Sequence, residues 1–306
     1  MNAYSLLQLQ LDERVRGLDT SPQPATRYGL FSGKTGAAFC YFQFAEFFRG
    51  ADNRQIARRL VEEVLAVLPS RRDISLDDGL AGIGWGLETM RQNGYELPDT
   101  AEALAFIDDE IYKYSTFRKS PDLSLEKGVL GRLLYLTSRL ATVADAPFRY
   151  RSLLLQECIT LLMADLQTAV FTADPQLQAR YVVFFQRLRT AGWYSDSAKK
   201  WLLVFKEHVE QLYANAALLP TDGAYLLRAY AWLAQQTRTS GMERQVVRWE
   251  KQFSMRLRPV SEEIAAREGT SLPLNSWPAF SLTLPLKKGQ VSLANSYLLI
   301  QTNSLI

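Results

Sequence analysis

The feature that most constrains this chain is a Gly-x-x-Gly signature that recurs at nearly constant spacing. Gly33-Lys34-Thr35-Gly36, Gly79-Leu80-Ala81-Gly82 and Gly128-Val129-Leu130-Gly131 start 46 and 49 residues apart. Each opens a segment with almost no charge. Residues 36–45 (GAAFCYFQFA) and 79–87 (GLAGIGWGL) carry none, and residues 128–138 (GVLGRLLYLTS) carry only Arg132. Helices that are apolar nearly all round are buried on more than one side. Between these segments lie amphipathic helices. In residues 53–68, Ile56, Leu60, Val64 and Leu68 form one apolar stripe, with Arg58, Arg59, Glu62 and Glu63 largely elsewhere. Asn53 is the expected N-cap there, and Pro69 follows the end. Similar patterns span about 3–17, 99–114, 147–168, 197–214 and 242–257.

A period of this size, with one neutral and one amphipathic helix per unit, describes a repeat of helical hairpins. Two further steps from Gly128 reach the neighbourhood of residue 176, where the glycines are lost, and Gly223. A third reaches about 271–276. About six to seven hairpins fit the chain. An open solenoid would leave charge on both helix layers. One layer here is nearly uncharged, so the expectation is a closed all-α architecture: an α/α toroid whose neutral inner helices start with Gly-x-x-Gly. A single domain over 1–306 is expected. Residues 1–27 supply a first helix and its connection, and 269–306 form an irregular tail. The glycines are expected to let neighbouring inner helices, or a substrate, approach the backbone.

Composition narrows the chemistry. The chain has two cysteines, Cys40 and Cys158, and one histidine, His208. A zinc site ordinarily takes three or four ligands, mainly Cys and His. Any histidine-dependent nucleophile would have to use His208. A disulfide framework is excluded, and the pattern suits a reducing compartment. The net charge of +3 includes no dense basic run, so nucleic acid is not an expected partner. The N-terminus does not read as a secretory signal, and no window reads as a membrane span. A cytoplasmic location is expected.

Several residues have candidate roles. Gly33-Lys34-Thr35 looks like the end of a phosphate-binding loop, but position 28 is Tyr28 and no strand precedes it. It is better read as the first inner-helix copy. Asp77, Asp78, Glu126 and Asp222 stand just before repeat glycines. At helix N-termini they act as dipole-stabilising caps. Converging at one mouth of a ring, they would instead line a pocket and serve as general acid and base. Lys34, Lys127 and Arg132 would be their cationic neighbours. Trp85, Tyr135, Tyr181, Tyr225 and Trp277 fall on or near inner helices, as core or as cavity lining. His208 sits beside an outer apolar stripe, and both cysteines are core residues.

These segments resemble the lanthionine synthetase C-like (LanC-like) proteins. The resemblance lies in Tyr28–Phe48, Ile74–Leu97 and Leu123–Leu140. Its most specific part is Ile74-Ser75-Leu76-Asp77-Asp78-Gly79-Leu80-Ala81-Gly82-Ile83, with the same shape at Leu123-Ser124-Leu125-Glu126-Lys127-Gly128-Val129-Leu130-Gly131. It covers about residues 28–140 clearly. The resemblance implies an α/α toroid. In catalytic members it implies a zinc ion that activates a precursor-peptide thiol for addition to a dehydrated serine or threonine. Their ligands come from Trp-Cys-x-Gly and Cys-His-Gly segments, and neither is present here. Ser276-Trp277-Pro278 and Lys287-Lys288-Gly289 stand as their possible remnants. The expectation is a peptide-modification protein that binds a precursor peptide or partner enzyme, with no zinc and no cofactor. The alternatives are a glycoside hydrolase-like toroid using the mouth carboxylates and a purely structural partner protein.

Overall fold

The structure, a computed structural model, describes residues 9, 12–13, 28–31, 33–48, 51–118, 122–143, 149–169, 174–214 and 220–249. Among these residues every regular element is helical and none is a strand. The helices are α1 (Lys34–Phe48), α2 (Ala51–Val67), α3 (Leu80–Gln92), α4 (Ala101–Phe117), α5 (Val129–Val143), α6 (Arg149–Ala169), α7 (Pro175–Thr190), α8 (Ser195–Ala214) and α9 (Pro220–Thr237). Residues 240–249 are also helical. A 3-10 turn, Leu68–Ser70, carries Pro69 just past α2. The expected helix at 3–17 and the tail at 269–306 lie largely or wholly outside the described residues.

The period persists along the chain. Odd-numbered helices begin at Lys34, Leu80, Val129, Pro175 and Pro220, and the helix after each begins at Ala51, Ala101, Arg149, Ser195 and residue 240. The expected steps near 176 and Gly223 thus fall on real helix starts, although α7 has no Gly-x-x-Gly. The burial pattern follows the same alternation. In α3 every residue from Leu80 to Met90 is buried, whereas α4 buries only Leu104, Ile107, Asp108 and Ile111. Each fully buried Leu, Ile or Met of α3 contributes about 1.5–3 kcal/mol of transfer free energy. That total holds a helix whose Gly82, Gly84 and Gly86 weaken its intrinsic propensity. Helix α2 starts two residues earlier than its expected cap, so Asn53 lies inside it and is buried.

The chain divides into two compact units, with the division near the end of α6, between Ala164 and Asp165. In the first, α3 packs against α1, α4 and α5, and α1 packs against α2. The mid-helix glycines of α3 serve these contacts. A Cβ on Gly84 would meet the Tyr135 ring of α5, with Cζ at 2.9 Å, and one on Gly86 would meet Thr35 Cγ2 of α1 at 2.5 Å. Close approach of neighbouring neutral helices is therefore the reason for these two glycines.

In the second unit, α7 packs against α8 and α9. Its core is aromatic. Phe185 stacks on Trp201 with centroids 4.3 Å apart, and Trp249 stacks on Tyr213 at 4.3 Å while meeting Tyr230 edge-on at 5.0 Å. The turn after α9 closes through Thr239 N–H to the Ala234 carbonyl (3.1 Å) and Arg238 N–H to the Gln235 carbonyl (3.2 Å). This is the Schellman pattern, which places one residue in the left-handed region, usually glycine. Gly94 and Gly192 fill that place after α3 and α7, but here it is Arg238, at φ 51°. Arg238→Gly is therefore expected to raise stability by up to about 1 kcal/mol. Urea unfolding measures it.

Candidate functional site

The sequence motif builds a specific turn before each neutral helix of the first unit. In the second and third copies an aspartate starts it. Asp73 Oδ1 accepts from Ser75 N–H (2.9 Å) and Asp73 Oδ2 from the Ser75 hydroxyl (2.9 Å), and Asp122 Oδ1 accepts from Ser124 N–H (2.7 Å). The Asp73 and Asp122 carbonyls then accept from Leu80 N–H (2.8 Å) and Val129 N–H (3.0 Å) at the helix starts. Such side-chain-to-backbone bonds two residues on favour a turn over continued helix.

The paired glycines close the turn. A Cβ on Gly79 or Gly128 would press on the backbone nitrogen of Ser75 or Ser124. A Cβ on Gly82 or Gly131 would press on the carbonyl oxygen of Leu76 or Leu125, and one on Gly36 on that of Leu30. The expected partner of these glycines was a neighbouring helix or a substrate. What approaches them first is the backbone of their own turn, followed by a leucine of the preceding copy: Leu30 Cβ at 3.0 Å from the Gly82 position, Leu76 Cβ at 2.6 Å from Gly131.

Successive turns are joined in one register. Leu30 and Phe31 N–H donate to the Asp77 carbonyl at 2.8 and 3.1 Å. One repeat on, Leu76 and Asp77 N–H donate to the Glu126 carbonyl at 2.8 and 3.0 Å. Phe31, Asp77 and Glu126 thus occupy equivalent places, and the N-terminal ends of α1, α3 and α5 lie side by side. Each such bond contributes about 1 kcal/mol net, so the joint is maintained by backbone geometry that any side chain at these places permits.

This arrangement changes the role of the acidic residues. The N-cap of α3 is Gly79, with no side-chain cap bond. The first N–H groups of α3 are met by carbonyls, Leu80 by Asp73 and Gly82 by Ser75. The expected cap role of Asp77 and Asp78 is therefore replaced by backbone capping from Asp73 and Ser75. Asp77 Oδ1 accepts from Asp78 N–H (2.8 Å), within the turn itself, and Arg71 Nη2 donates to the Asp78 carbonyl (2.6 Å). Asp77, Asp78 and Glu126 are half-buried, and Lys127 is exposed.

The other candidates are placed as follows. Lys34 is buried and pairs with Glu63 of α2, with the Tyr28 ring centroid 5.6 Å from its ammonium. Thr35 donates to the Tyr28 carbonyl (2.6 Å). Both side chains of the Gly-Lys-Thr motif are thus tied to the protein itself, consistent with an inner-helix copy. Arg132 is buried with its guanidinium 5.3 Å from the Tyr114 ring centroid on α4, so it lies between helices. Trp85, Tyr135 and Tyr181 are core. The side chains of Asp222 and Tyr225, and all of Trp277, lie outside the described residues, as do Ser276, Pro278, Lys287, Lys288 and Gly289.

One candidate, Tyr135, joins residues outside this list in a buried polar cluster of the first unit. Glu88 of α3 and Asp108 of α4 are both fully buried. Arg139 of α5 bridges them, Nη1 to Glu88 Oε2 and Nε to Asp108 Oδ2, each at 3.3 Å. Tyr135 donates to Asp108 Oδ1 at 2.5 Å. Arg151 of α6 places Nε 3.9 Å from Asp108 and is itself paired with Asp109. Burial pushes the Asp108 carboxyl up to about 6, against the opposing pull of Arg139, Tyr135 and Arg151. The sequence signal for this cluster is Glu88 and Arg139 on two helices that carry only one other charged residue each, Arg91 and Arg132.

Among the described residues no group of three or more His, Cys, Asp or Glu side chains converges as a metal site. Cys40 and Cys158 are buried free thiols, and burial pushes Cys158 up to about 11, away from the thiolate a metal would require. His208 is half-buried on α8, its basicity lowered by burial. These three residues do not fit a zinc centre. No helix among the described residues is long and apolar enough to cross a membrane. No family model, curated protein or solved structure matches the chain.

Proposed function

We propose that the chain is a LanC-like α/α toroid that has no zinc centre and binds a precursor peptide or a maturation enzyme in a peptide-modification system. The observation that carries this reading is the strict repetition of the hairpin. Five consecutive hairpins keep the same period, and three successive inner-helix turns share one hydrogen-bond register. A ring of such units supports a mouth at the Gly-x-x-Gly ends, bordered by Asp77, Asp78, Glu126 and Lys127. Phe117 of α4, and Tyr150 and Leu153 of α6, are exposed large apolar residues available to a protein partner.

The test uses the purified full chain. Metal analysis is expected to find zinc well below one equivalent. A fluorescent peptide carrying a cysteine and a dehydrated serine is expected to bind, giving a saturable anisotropy change without thioether formation. Stoichiometric tightly held zinc, or cyclised peptide, would overturn the zinc-free reading. Absence of saturable peptide binding would remove the precursor-peptide reading.

A further inference from the structure

We propose that the outward face of α4 and α6 is a two-fold contact with a second copy of this chain, in which α4 of each copy lies along α6 of the other. The contact is independent of whether the chain binds a peptide.

The face is more apolar than a solvated one. Tyr150, Leu153 and Leu161 stand on one stripe of α6 and are 76%, 63% and 39% exposed, and Phe117 of α4 is 81% exposed. These four are half of the large hydrophobic residues exposed among the described residues. The second helix of a hairpin does not need them, since its counterpart in the first hairpin, α2, exposes Arg54, Arg58, Arg59 and Glu62 instead. Single apolar residues are ordinary on a surface, but a group of this size marks an interaction site.

Ion pairs and hydrogen bonds set the two helices in a common register. Arg151 of α6 pairs with Asp109 and donates to the Ala105 carbonyl (3.2 Å), and Tyr112 donates to Glu157 (3.3 Å). Higher numbers on one helix thus meet higher numbers on the other, so α4 and α6 run parallel, with Tyr112 beside Glu157. On the outward side, Phe106, Lys113 and Phe117 of α4 therefore stand level with Tyr150, Glu157 and Leu161 of α6.

That register makes the face complementary to itself. A two-fold axis running along the helices, between α4 and α6, lays each helix on the other of the second copy without a shift in level. Phe117 then meets Leu161, Phe106 meets Tyr150, and the Lys113 ammonium meets the Glu157 carboxylate, each across the axis and each twice. The other charges nearby are paired within one copy, Asp109 with Arg151 and Glu110 with Lys113 at 2.8 Å. A strongly charged partner finds no excess of one sign here, whereas a second copy brings opposite charges together. The two aromatic rings, Phe117 and Tyr150, expose roughly 300 Å² between them. With both leucines and the polar rim, doubled by the axis, the contact reaches the roughly 1,200 Å² at which specific interfaces begin. That size fits a dimer in exchange with its monomer.

Sedimentation velocity of the full chain, up to about 100 μM, is expected to show a monomer–dimer equilibrium. Phe117→Ser changes a side chain that stands mostly in water, and is expected to weaken the dimer roughly tenfold. Lys113→Glu and Glu157→Lys are each expected to weaken it by at least about tenfold, because each sets like charges against each other twice. Mixing those two variants decides the geometry, since their heterodimer has opposite charges at both places. The mixture is expected to dimerise within about threefold of the parent. Circular dichroism checks that each variant is folded. A chain that stays monomeric throughout, a dimer indifferent to Phe117→Ser, or a mixture that associates no better than its components would overturn the proposal. The first of these outcomes would leave the face to a different protein.

Discussion

Replacing Arg139 by leucine is expected to cost about 3–5 kcal/mol, the range for breaking a buried ion pair by removing one partner. The guanidinium bridges Glu88 and Asp108, at 3.3 Å each. Leucine fills part of its volume and leaves two carboxylates without exposure and without that cation. The loss is expected to be smaller at pH 5 than at pH 7.5, because Asp108 is then neutral. Adding Asp108→Asn to Arg139→Leu is expected to recover part of the loss at pH 7.5, since it removes one of the stranded charges. Urea unfolding of the single and double variants measures both effects. A loss below about 1 kcal/mol would mean that the cluster is hydrated enough to behave as a surface pair.

Gly82→Ala is expected to cost at least about 3 kcal/mol, at the upper end of overpacking effects. An added Cβ falls far inside the van der Waals contact distance of the Leu76 carbonyl oxygen and 2.8 Å from its carbon. Backbone cannot swing aside as a side chain does, and this backbone is anchored. Leu76 and Asp77 N–H are bonded to the Glu126 carbonyl in the next turn. Relief of the clash therefore pulls the second turn away from the third. Gly94→Ala is the control. Gly94 has φ +75° but nothing within 4 Å of its added Cβ, so only the left-handed backbone resists alanine, at about 1 kcal/mol. Comparable losses for the two variants in thermal or urea unfolding would show that the turn carbonyl is free to move.

Much of the architecture was legible in the sequence because helical period and hairpin period are both local properties. The nearly uncharged runs at 36–45, 79–87 and 128–138 coincide with α1, α3 and α5, and the 46–49-residue step finds the starts of α7 and α9 even though α7 lacks the glycines. The reading of individual side chains was less complete. Asp77 and Asp78 drew attention by adjacency to Gly79, yet Asp73, six residues before that glycine, shapes the turn and lends its carbonyl to the helix start. Asp122 holds the equivalent place before Gly128. A side chain's target depends on how the turn folds back, and spacing alone does not give that.

By itself the sequence determined the alternation of buried and half-buried helices, their period, and the scarcity of histidine and cysteine. Those follow from which residues are apolar, where they recur, and how many ligands exist. Only the tertiary structure decided that the paired glycines face their own turn backbone, that successive turns share one register, and that Glu88, Asp108, Tyr135, Arg139 and Arg151 meet. These five lie on four helices, and the closest of their ion pairs and hydrogen bonds join residues 27 to 51 positions apart. Packing of the neutral helices brings them together, since nothing in a local pattern specifies which buried acid will face which arginine.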